Sequence, residues 1–331
     1  MRICMIGNSG HNGYVLSGIA KPDEDAIVGV APGSEGEDVA RLIEQCVAKG
    51  HSPGPFGEYA AMLDELRPDV VTVSCHFGDH ARVAAEVLKR GMHAFVEKPV
   101  ATTLDGLKTL RELHAASKAQ FSAMLGIRYD GAMRAAYEAI RRGAVGTVRL
   151  VTAQKSYKLG TRPAFFKDRA TYGGTIPWVG AHAIDWIRWM SGEEFTSVRA
   201  SHSRAHNRGN GDLEVSAACH FTMTGDVMAT ANIDYLRPAT AKTHGDDRVR
   251  VAGTKGVVEV RGGVVYLVND EAGGARELPP VKKGQIFADF LAQVRGDGTC
   301  LISAEDAFRA TEACLLARQS ADEGREVVFG T

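Results

Sequence analysis

An adjacent acid and base end one of the apolar segments of this chain. Phe95 and Val96 run directly into Glu97, Lys98 and Pro99. Adjacent charged residues are commonly the solvated end of a strand, here followed by a proline that starts a helix. A lysine at the carboxyl end of a parallel strand, however, stands where such sheets bind their ligands. This position favours a functional role for Lys98 over the solvated alternative.

A second candidate site follows the first apolar run. Gly7, Gly10 and Gly13 have the spacing G-x-x-G-x-x-G. Glycines at a strand-to-helix junction let the chain turn sharply and let backbone N–H groups approach a pyrophosphate. The spacing departs from G-x-G-x-x-G, because Ser9 and Asn12 occupy the two later glycine positions. Glycine also marks ordinary tight turns, so the motif gains weight only from alternating strands and helices around it.

The second apolar run, Ala26–Ala31, ends without the acid that usually binds the ribose of NAD. Ser34, Glu35 or nearby backbone would then meet the 2′ position of the ribose. The three acidic residues between positions 35 and 38 would repel the 2′-phosphate of NADP, unless the Arg41 side chain paired with that phosphate. NAD is therefore favoured over NADP as the cofactor.

The elements that position these residues are visible as a pattern over residues 1–125. Short apolar runs alternate there with amphipathic segments, which is typical of a parallel sheet with crossover helices. The clearest helical segment, Asp79–Gly91, places Val83, Val87 and Leu88 on one stripe and ends at a glycine. We predict a dinucleotide-binding Rossmann domain with a doubly wound parallel sheet over these residues.

The pattern changes over residues 126–331. Thr147–Tyr157 is rich in β-branched residues, and strand-like runs predominate from Phe195 onward. Strands that follow an α/β half predict an α+β domain built on a largely antiparallel open sheet. Ser303 and Asp306 form a capping box for a long closing helix.

The composition excludes several classes of function. The chain has 331 residues with 39 basic and 40 acidic side chains, so it lacks the basic excess that holds nucleic acid. The N-terminal apolar run meets glycine after six residues, too short for a signal peptide or a membrane span. The six cysteines form no C-x-x-C pair, and the sequence has no H-E-x-x-H motif. We therefore expect a cytoplasmic protein with no metal, membrane or nucleic-acid site.

The glycine-rich turn, the run HARVAAEVLKRGMHAFVEKPVATT and the later run GGTIPWVGAHAIDWIRW together resemble the Gfo/Idh/MocA family of NAD(P)-dependent oxidoreductases. The resemblance covers essentially the whole chain, and its most specific motif is E-K-P. It implies hydride transfer between a nicotinamide and the hydroxyl or carbonyl carbon of a sugar, sugar derivative or cyclitol. It also implies that the C-terminal domain binds the substrate. The subunits would pair through the sheet of this domain to form a homodimer or homotetramer.

The resemblance assigns roles around E-K-P. It places Lys98 between nicotinamide and substrate, with Glu97 against the cofactor, and it makes a cis bond before Pro99 the expectation. It also places Cys75 and His76 beside the cofactor, although the family usually has T-P-N in that loop. The predicted cofactor-binding residues are Gly7, Ser9, Gly10, His11, Asn12, Gly13, Ser34, Cys75, His76, Glu97 and Lys98.

The family's second catalytic motif, D-x-x-x-H, presents a carboxylate and an imidazole on one face of a helix. This chain has Trp178 at the aspartate position and His182 at the histidine position. The resemblance makes His182 a second catalytic residue beside Lys98, with Asp185 as the nearest substitute carboxylate. Trp178 would form a platform for a sugar ring or pack in the core. The predicted substrate-binding residues are Arg128, Tyr157, Trp178, Asp185 and His244.

The missing aspartate leaves two alternatives to net oxidation or reduction. The first is a redox-assisted lyase or glycoside-cleaving enzyme that retains its NAD and oxidises a sugar only transiently. The second is a sensor of dinucleotide or sugar that has lost catalysis.

Overall fold

The computed structural model describes residues 1–271 and 273–330, and the chain forms two compact units. The first unit contains Met1–Gly126, Ala170–Gly173 and Gln285–Thr311. The second contains Ile127–Arg169, Gly174–Gly284 and Glu312–Thr331. Gln285–Thr311, which the sequence prediction placed in the second domain, therefore belongs to the first unit.

Six parallel strands form the sheet of the first unit, in the order β3-β2-β1-β4-β5-β6. Every residue of β4 is buried, as is typical of a parallel strand covered on both faces. The strand order reverses between β1 and β4, which opens a crevice at their carboxyl ends. The predicted doubly wound Rossmann sheet is confirmed. Its strands are β1 (Arg2–Ile6), β2 (Ala26–Ala31), β3 (Gly54–Pro55), β4 (Val70–Val73), β5 (His93–Val96) and β6 (Phe121–Ala123).

Helices of the first unit connect these strands, and a later helix returns to the same core. Phe287 and Phe290 of that helix pack on Phe95 of β5, with ring centroids 5.1 and 5.3 Å apart. The burial of these aromatic rings explains why the segment belongs to the first unit. The helices are α1 (Gly13–Gly18), α2 (Ala40–Ala48), α3 (Tyr59–Leu66), α4 (His80–Lys89), α5 (Leu104–Ala115) and, near the end of the chain, α10 (Ile286–Arg295).

Nine strands form the sheet of the second unit, in the order β14-β13-β12-β11-β7-β10-β9-β8-β15. Neighbouring strands are antiparallel except for the parallel pair β10 and β7. The predicted largely antiparallel sheet is therefore confirmed. Its strands are β7 (Val148–Lys158), β8 (Phe195–Ser203), β9 (Ser216–Met223), β10 (Val227–Arg237), β11 (Gly245–Gly253), β12 (Gly256–Arg261), β13 (Val264–Asn269), β14 (Gly274–Leu278) and β15 (Val327–Val328).

One face of this sheet carries helices. Helix α9 packs on β7, β10 and β11, and α6 packs on β12 and β13. Along β10 the side chains alternate, so that Ala229, Ala231 and Ile233 are buried while Met228 and Leu236 are exposed on the other face. The remaining helices are α6 (Gly131–Arg141), α7 (Arg169–Tyr172), α8 (Thr175–Trp178), α9 (Gly180–Ser191) and α11 (Ala304–Glu323).

Two local predictions are confirmed by hydrogen bonds and dihedral angles. Ser303 and Asp306 exchange capping bonds at the start of α11, with Asp306 N–H donating to Ser303 Oγ at 3.0 Å. The peptide bond between Lys98 and Pro99 is cis. No helix within residues 1–271 and 273–330 combines the length and the apolar composition needed to cross a membrane.

Candidate active site

The glycine-rich turn starts at the carboxyl end of β1. Gly7 has a φ of +86°, and a β-carbon there would collide with the backbone of Cys75. Gly10 leaves room for the Glu97 side chain, whereas a β-carbon on Gly13 would meet open space. A dinucleotide pyrophosphate needs such close access to backbone, so the turn fits this cofactor. The other predicted members of the turn are Ser9, His11 and Asn12.

Glu37 connects this turn to the end of β2. Its Oε1 accepts the Asn8 N–H at 2.8 Å and the Ser9 hydroxyl at 2.6 Å. Its Oε2 accepts the Gly33 N–H at 3.1 Å. The carboxylate is thus held at the carboxyl end of β2, where Rossmann enzymes bind the adenosine ribose. An acidic side chain therefore lies at the carboxyl end of β2, but it belongs to Glu37, six residues after Ala31, and not to the residue that directly ends the strand.

A cavity of about 390 Å³ adjoins this carboxylate, and its walls include Ser34, Glu37, Tyr59 and Arg82. Ser34 donates to Asp79 at 2.6 Å and accepts the His76 N–H at 3.0 Å. Arg82 donates to the Tyr59 hydroxyl at 2.7 Å and forms an ion pair with Asp79. The cavity therefore has polar walls of a size and place that fit the adenosine end of the cofactor. The predicted contact of Ser34 with the ribose stays a prediction.

Glu97 links the glycine-rich turn to Lys98. Its buried carboxylate accepts the backbone N–H of His11, contacts the His11 ring at 2.7 Å, and accepts the Lys98 N–H at 2.8 Å. Burial alone would raise the pKa of Glu97, but the nearby His11 and Lys98 charges and these hydrogen bonds bring the pKa below its usual value. Glu97 is therefore an ionised anchor at the edge of the sheet.

Lys98 follows as a nearly fully buried amine, with 1% of its surface exposed. The loop that carries it is fixed by His80 of α4, whose ring nitrogens contact the Pro99 carbonyl at 2.7 Å and the Cys75 carbonyl at 3.0 Å. Burial raises the pKa of the Cys75 thiol, which keeps it neutral. The carboxyl ends of β4 and β5 are thus tied together around a rigidly held lysine.

The second unit positions Trp178 at the end of the short helix α8 and His182 in the first turn of α9. The Glu214 carboxylate accepts the Thr175 N–H at 2.9 Å, which satisfies a donor at the start of α8. Gly180 starts α9, and a β-carbon there would collide with Ile233 of β10. His182 is buried and stacks on Trp186, with ring centroids 6.3 Å apart. The helix thus approaches the sheet closely at Gly180, two residues before the predicted imidazole of His182.

Asp185 and Arg128, both predicted to bind substrate, pair with each other in the second unit. Arg128 Nε donates to Asp185 Oδ2 at 2.8 Å, and the Arg128 guanidinium lies 5.3 Å from the Trp189 ring centroid. Both side chains are buried. The pair gives Asp185 a fixed partner that is distinct from His182. Their role in substrate binding stays a prediction.

Lys155 and Asp247 form a second ion pair, at 2.5 Å, in which Lys155 is buried and Asp247 is partly exposed. The Lys155 ammonium lies 4.8 Å from the Tyr157 ring centroid and 5.5 Å from that of Trp186. Burial lowers the pKa of Lys155, and Asp247 opposes that shift. Tyr157 in turn contacts His244, with centroids 4.8 Å apart. The structure thus brings together two predicted substrate residues, Tyr157 and His244, around this ion pair.

Three polar atoms near this pair are buried and lack a hydrogen-bond partner among residues 1–271 and 273–330. They are the acceptor Asp247 Oδ1 and the donors Trp186 Nε1 and Arg162 Nε. Buried polar atoms are normally satisfied, because an unsatisfied one costs about 1–3 kcal/mol. A ligand with hydroxyl groups offers both donors and acceptors to such a set. The arrangement can therefore bind a polyhydroxylated molecule.

The sequence did not identify Asp247, Arg162 and Trp186 as site residues. The sequence nevertheless contained a sign of a buried charge in this region. In the alternation of β7, Lys155 follows Val151 and Ala153 at positions that face inward. A lysine in that phase must find a buried partner. The sequence did not show that this partner is Asp247, which lies 92 residues away.

Comparison with known proteins defines the class. The model of an oxidoreductase family with an NAD-binding Rossmann fold matches residues 1–125. The model of the GFO/IDH/MocA C-terminal domain matches residues 133–259. The protein is an NAD-binding oxidoreductase by class, with an N-terminal Rossmann domain. More particularly, it belongs to the Gfo/Idh/MocA family.

Individual relatives agree with this assignment. A solved structure of a Thermotoga maritima protein is 47% identical with a TM-score of 0.96, covering 99% of this chain and 100% of that one. Glycosyl hydrolase family 109 protein 2 of Akkermansia muciniphila is 32% identical over 44% of this chain and 32% of its own length. Inositol 2-dehydrogenase/D-chiro-inositol 3-dehydrogenase of Lacticaseibacillus casei is 27% identical over 62% of this chain and 57% of its own length. The chain thus spans less than two thirds of either curated relative.

Proposed function

We propose that the protein is an NAD(P)-dependent dehydrogenase or reductase that acts on a CH–OH group of a sugar, sugar derivative or cyclitol. The observation that carries the proposal is the buried Lys98 amine at the carboxyl edge of the NAD-binding sheet, anchored through Glu97 to the glycine-rich turn. A proton-transferring group held at this edge is what oxidation of a hydroxyl requires.

The chain's own part in the reaction is orientation and proton transfer. A bound nicotinamide supplies the acceptor or donor of hydride. Lys98 takes the hydroxyl proton in the oxidising direction and returns it in the reducing direction. His182 is proposed as a second proton-transferring residue, because imidazole titrates near neutral pH. Gly7, Gly10 and Gly13 would hold the pyrophosphate, and Glu37 the adenosine ribose.

The polar atoms around Lys155 support a polyhydroxylated substrate. Asp247 Oδ1 accepts and Trp186 Nε1 donates, so a ring with several hydroxyls satisfies both. The inositol dehydrogenase relative supports the same class of substrate.

A screen of sugars and cyclitols with NAD and with NADP tests this function. Oxidation should raise absorbance at the nicotinamide band with at least one polyol. Binding of the dinucleotide without turnover of any polyol, in either direction, contradicts the proposal.

The glycosyl hydrolase relative favours a second candidate, a glycoside-cleaving enzyme that retains its NAD. Trp178 at the family's aspartate position is compatible with such altered chemistry. This enzyme would release product from a nitrophenyl glycoside without a net change in nicotinamide absorbance. A sensor, the third candidate, would bind dinucleotide or sugar and give neither signal.

A further inference from the structure

Arg162 presents a fixed cation beside the Lys155–Asp247 pair. Its guanidinium lies 4.5 Å from the Tyr235 ring centroid and 5.4 Å from that of Phe166. Its Nη2 donates to the Lys158 carbonyl at 2.8 Å. Stacking and this bond fix the plane of the guanidinium, while its buried Nε lacks an acceptor among the residues that the structure describes. This N–H group can therefore donate a hydrogen bond to a bound ligand without a rearrangement of the arginine side chain.

The tyrosine rings connect Arg162 to the other polar atoms of this cluster. Tyr235 lies 6.4 Å from Tyr157, between their ring centroids, and Tyr157 contacts both Lys155 and His244. Arg162 and Lys155 therefore lie against one surface that is formed by the neighbouring rings of Tyr235 and Tyr157. A sugar-sized ligand is large enough to cover two rings whose centroids are 6.4 Å apart.

Positive charge is in excess around this surface. Lys155 is compensated by Asp247, but Arg162 and Lys158 have no carboxylate within ion-pair distance in residues 1–271 and 273–330. Burial lowers the pKa of His244, and Arg162, Lys158 and Lys155 lower it further, against an opposing effect of Asp247. A neutral polyol would satisfy Asp247 and Trp186 but would leave the cations uncompensated.

We propose that the substrate is a sugar acid whose carboxylate binds Arg162 while its ring hydroxyls bind Asp247 and Trp186. This assignment rests on the proposed function and names its substrate class. A carboxylate suits the site because it is planar and accepts hydrogen bonds from the N–H groups along one edge of a guanidinium. Partial burial strengthens the attraction between the two charges. Lys158 adds positive charge beside it.

Matched pairs of substrates test the assignment. Each pair consists of an acid and a neutral counterpart that lacks the carboxylate: D-glucuronate with D-glucose, D-galacturonate with D-galactose, and D-gluconate with D-glucitol. D-Glucose 6-phosphate tests whether a phosphate is preferred to a carboxylate. We expect at least one carboxylate to exceed its neutral counterpart in kcat/KM by roughly tenfold or more, with a KM that rises with salt. Equal or higher kcat/KM for all neutral members, or a preference for the phosphate, overturns the assignment.

The variant Arg162→Gln identifies the residue responsible. It should raise KM for the preferred acid by roughly tenfold or more and raise KM for the neutral counterpart by a clearly smaller factor, because a neutral ligand loses one hydrogen bond and an acid also loses the charge pairing. Arg261→Gln is the matched control, because Arg261 of β12 also lies over a tyrosine, 5.6 Å from the ring centroid of Tyr266 on β13. Equal losses for acid and neutral substrates in Arg162→Gln would contradict a carboxylate contact. If this variant does not fold, Arg162→Lys, which keeps the charge but loses the planar fork, is compared in the same way.

Failure of the proposed function is a separate outcome. Turnover of neutral polyols without any acid preference retains the dehydrogenase and refutes the sugar acid. If no compound is turned over, the dehydrogenase proposal fails, and calorimetric titration of the wild type with D-glucuronate and D-galacturonate decides the binding claim. If the wild type binds either acid and Arg162→Gln does not, the proposed carboxylate contact is supported. If the wild type binds neither acid, the proposal is overturned.

Discussion

Lys155 and Asp247 form a 2.5 Å ion pair across the neighbouring strands β7 and β11, although they lie 92 residues apart in sequence. The pair sits against the rings of Tyr157 and Trp186. It fixes a charged residue in an otherwise apolar face of the sheet and leaves one oxygen, Asp247 Oδ1, for a ligand.

Replacing Lys155 by methionine should impair both folding and function. The change keeps the side-chain volume but leaves Asp247 without its partner, which destabilises a buried pair by up to about 3–5 kcal/mol and by less here because Asp247 is 29% exposed. We expect a fall in Tm and roughly a tenfold or greater loss of kcat/KM. Lys108→Met is the control, because the Lys108–Glu112 pair is exposed and its loss should shift Tm little. Equal shifts in both variants would contradict a special role for Lys155.

Lys98→Ala should abolish turnover while the dinucleotide still binds, because the glycine-rich turn and Glu37 remain. We expect a loss of about a thousandfold or more in kcat, with the Kd for NADH within about threefold. Lys98→Arg separates charge from proton transfer, because arginine stays protonated, so it should also be inactive. Lys89→Ala, an exposed lysine of α4, is the control. Near-native turnover by Lys98→Ala would refute the catalytic assignment.

Glu37 should determine the preference for NAD. Its carboxylate at the end of β2 would repel a 2′-phosphate, and Arg82 is already paired with Asp79. We expect the wild type to bind NADH at least roughly tenfold more tightly than NADPH, measured by calorimetry, and Glu37→Gln to reduce that ratio severalfold. Glu44→Gln is the control, because Glu44 is an exposed acid of α2 that does not line the cavity. Equal affinities in the wild type would contradict this role.

Two histidines should make the first unit less stable in mild acid. His51 Nδ1 accepts the Ile27 N–H at 3.2 Å and His93 Nδ1 accepts the Gln120 N–H at 2.8 Å, which requires neutral rings. Burial lowers the pKa of both below the usual 6.5. As pH falls through 6.5, the unfolded chain binds protons that the folded chain does not, so the free energy of unfolding decreases. For the buried His51 the slope is at most about 1.4 kcal/mol per pH unit.

Melting curves between pH 7.5 and 5.5 measure this effect above the range in which ordinary carboxylates titrate. The wild-type Tm should fall with pH, and the double variant His51→Gln/His93→Gln should show a flatter profile, because glutamine accepts the same N–H groups without titrating. A double variant with the wild-type slope would assign the effect to other groups.

The exposed face of the second sheet should mediate self-association. Met228 and Leu150 are neighbours on β10 and β7, and they are 52% and 37% exposed. Apolar side chains on an open sheet face favour pairing with a second copy. We expect light scattering to give the mass of a homodimer or homotetramer, and Met228→Glu to shift it toward the monomer. A monomeric wild type at micromolar concentration would contradict the expectation.

Local pattern predicted the parts of this protein that depend on neighbours in sequence. The glycine-rich turn, E-K-P and the Ser303 cap were visible because strand ends and caps have short signatures. Glu37 was noticed only as a repelling charge, because the way its loop folds back on Asn8 and Gly33 has no sequence signature. The Lys155 partner and the return of residues 285–311 depend on long-range packing, which periodicity does not encode.

The packing of α10 on β5 has a consequence for biosynthesis. Phe95 is buried by Phe287 and Phe290, which the ribosome adds almost two hundred residues later. The NAD-binding unit therefore completes its core only after most of the second unit has been translated. A fragment that ends at Gly126 would leave Phe95 without Phe287 and Phe290, so we expect it to be less stable than the same unit in the whole chain.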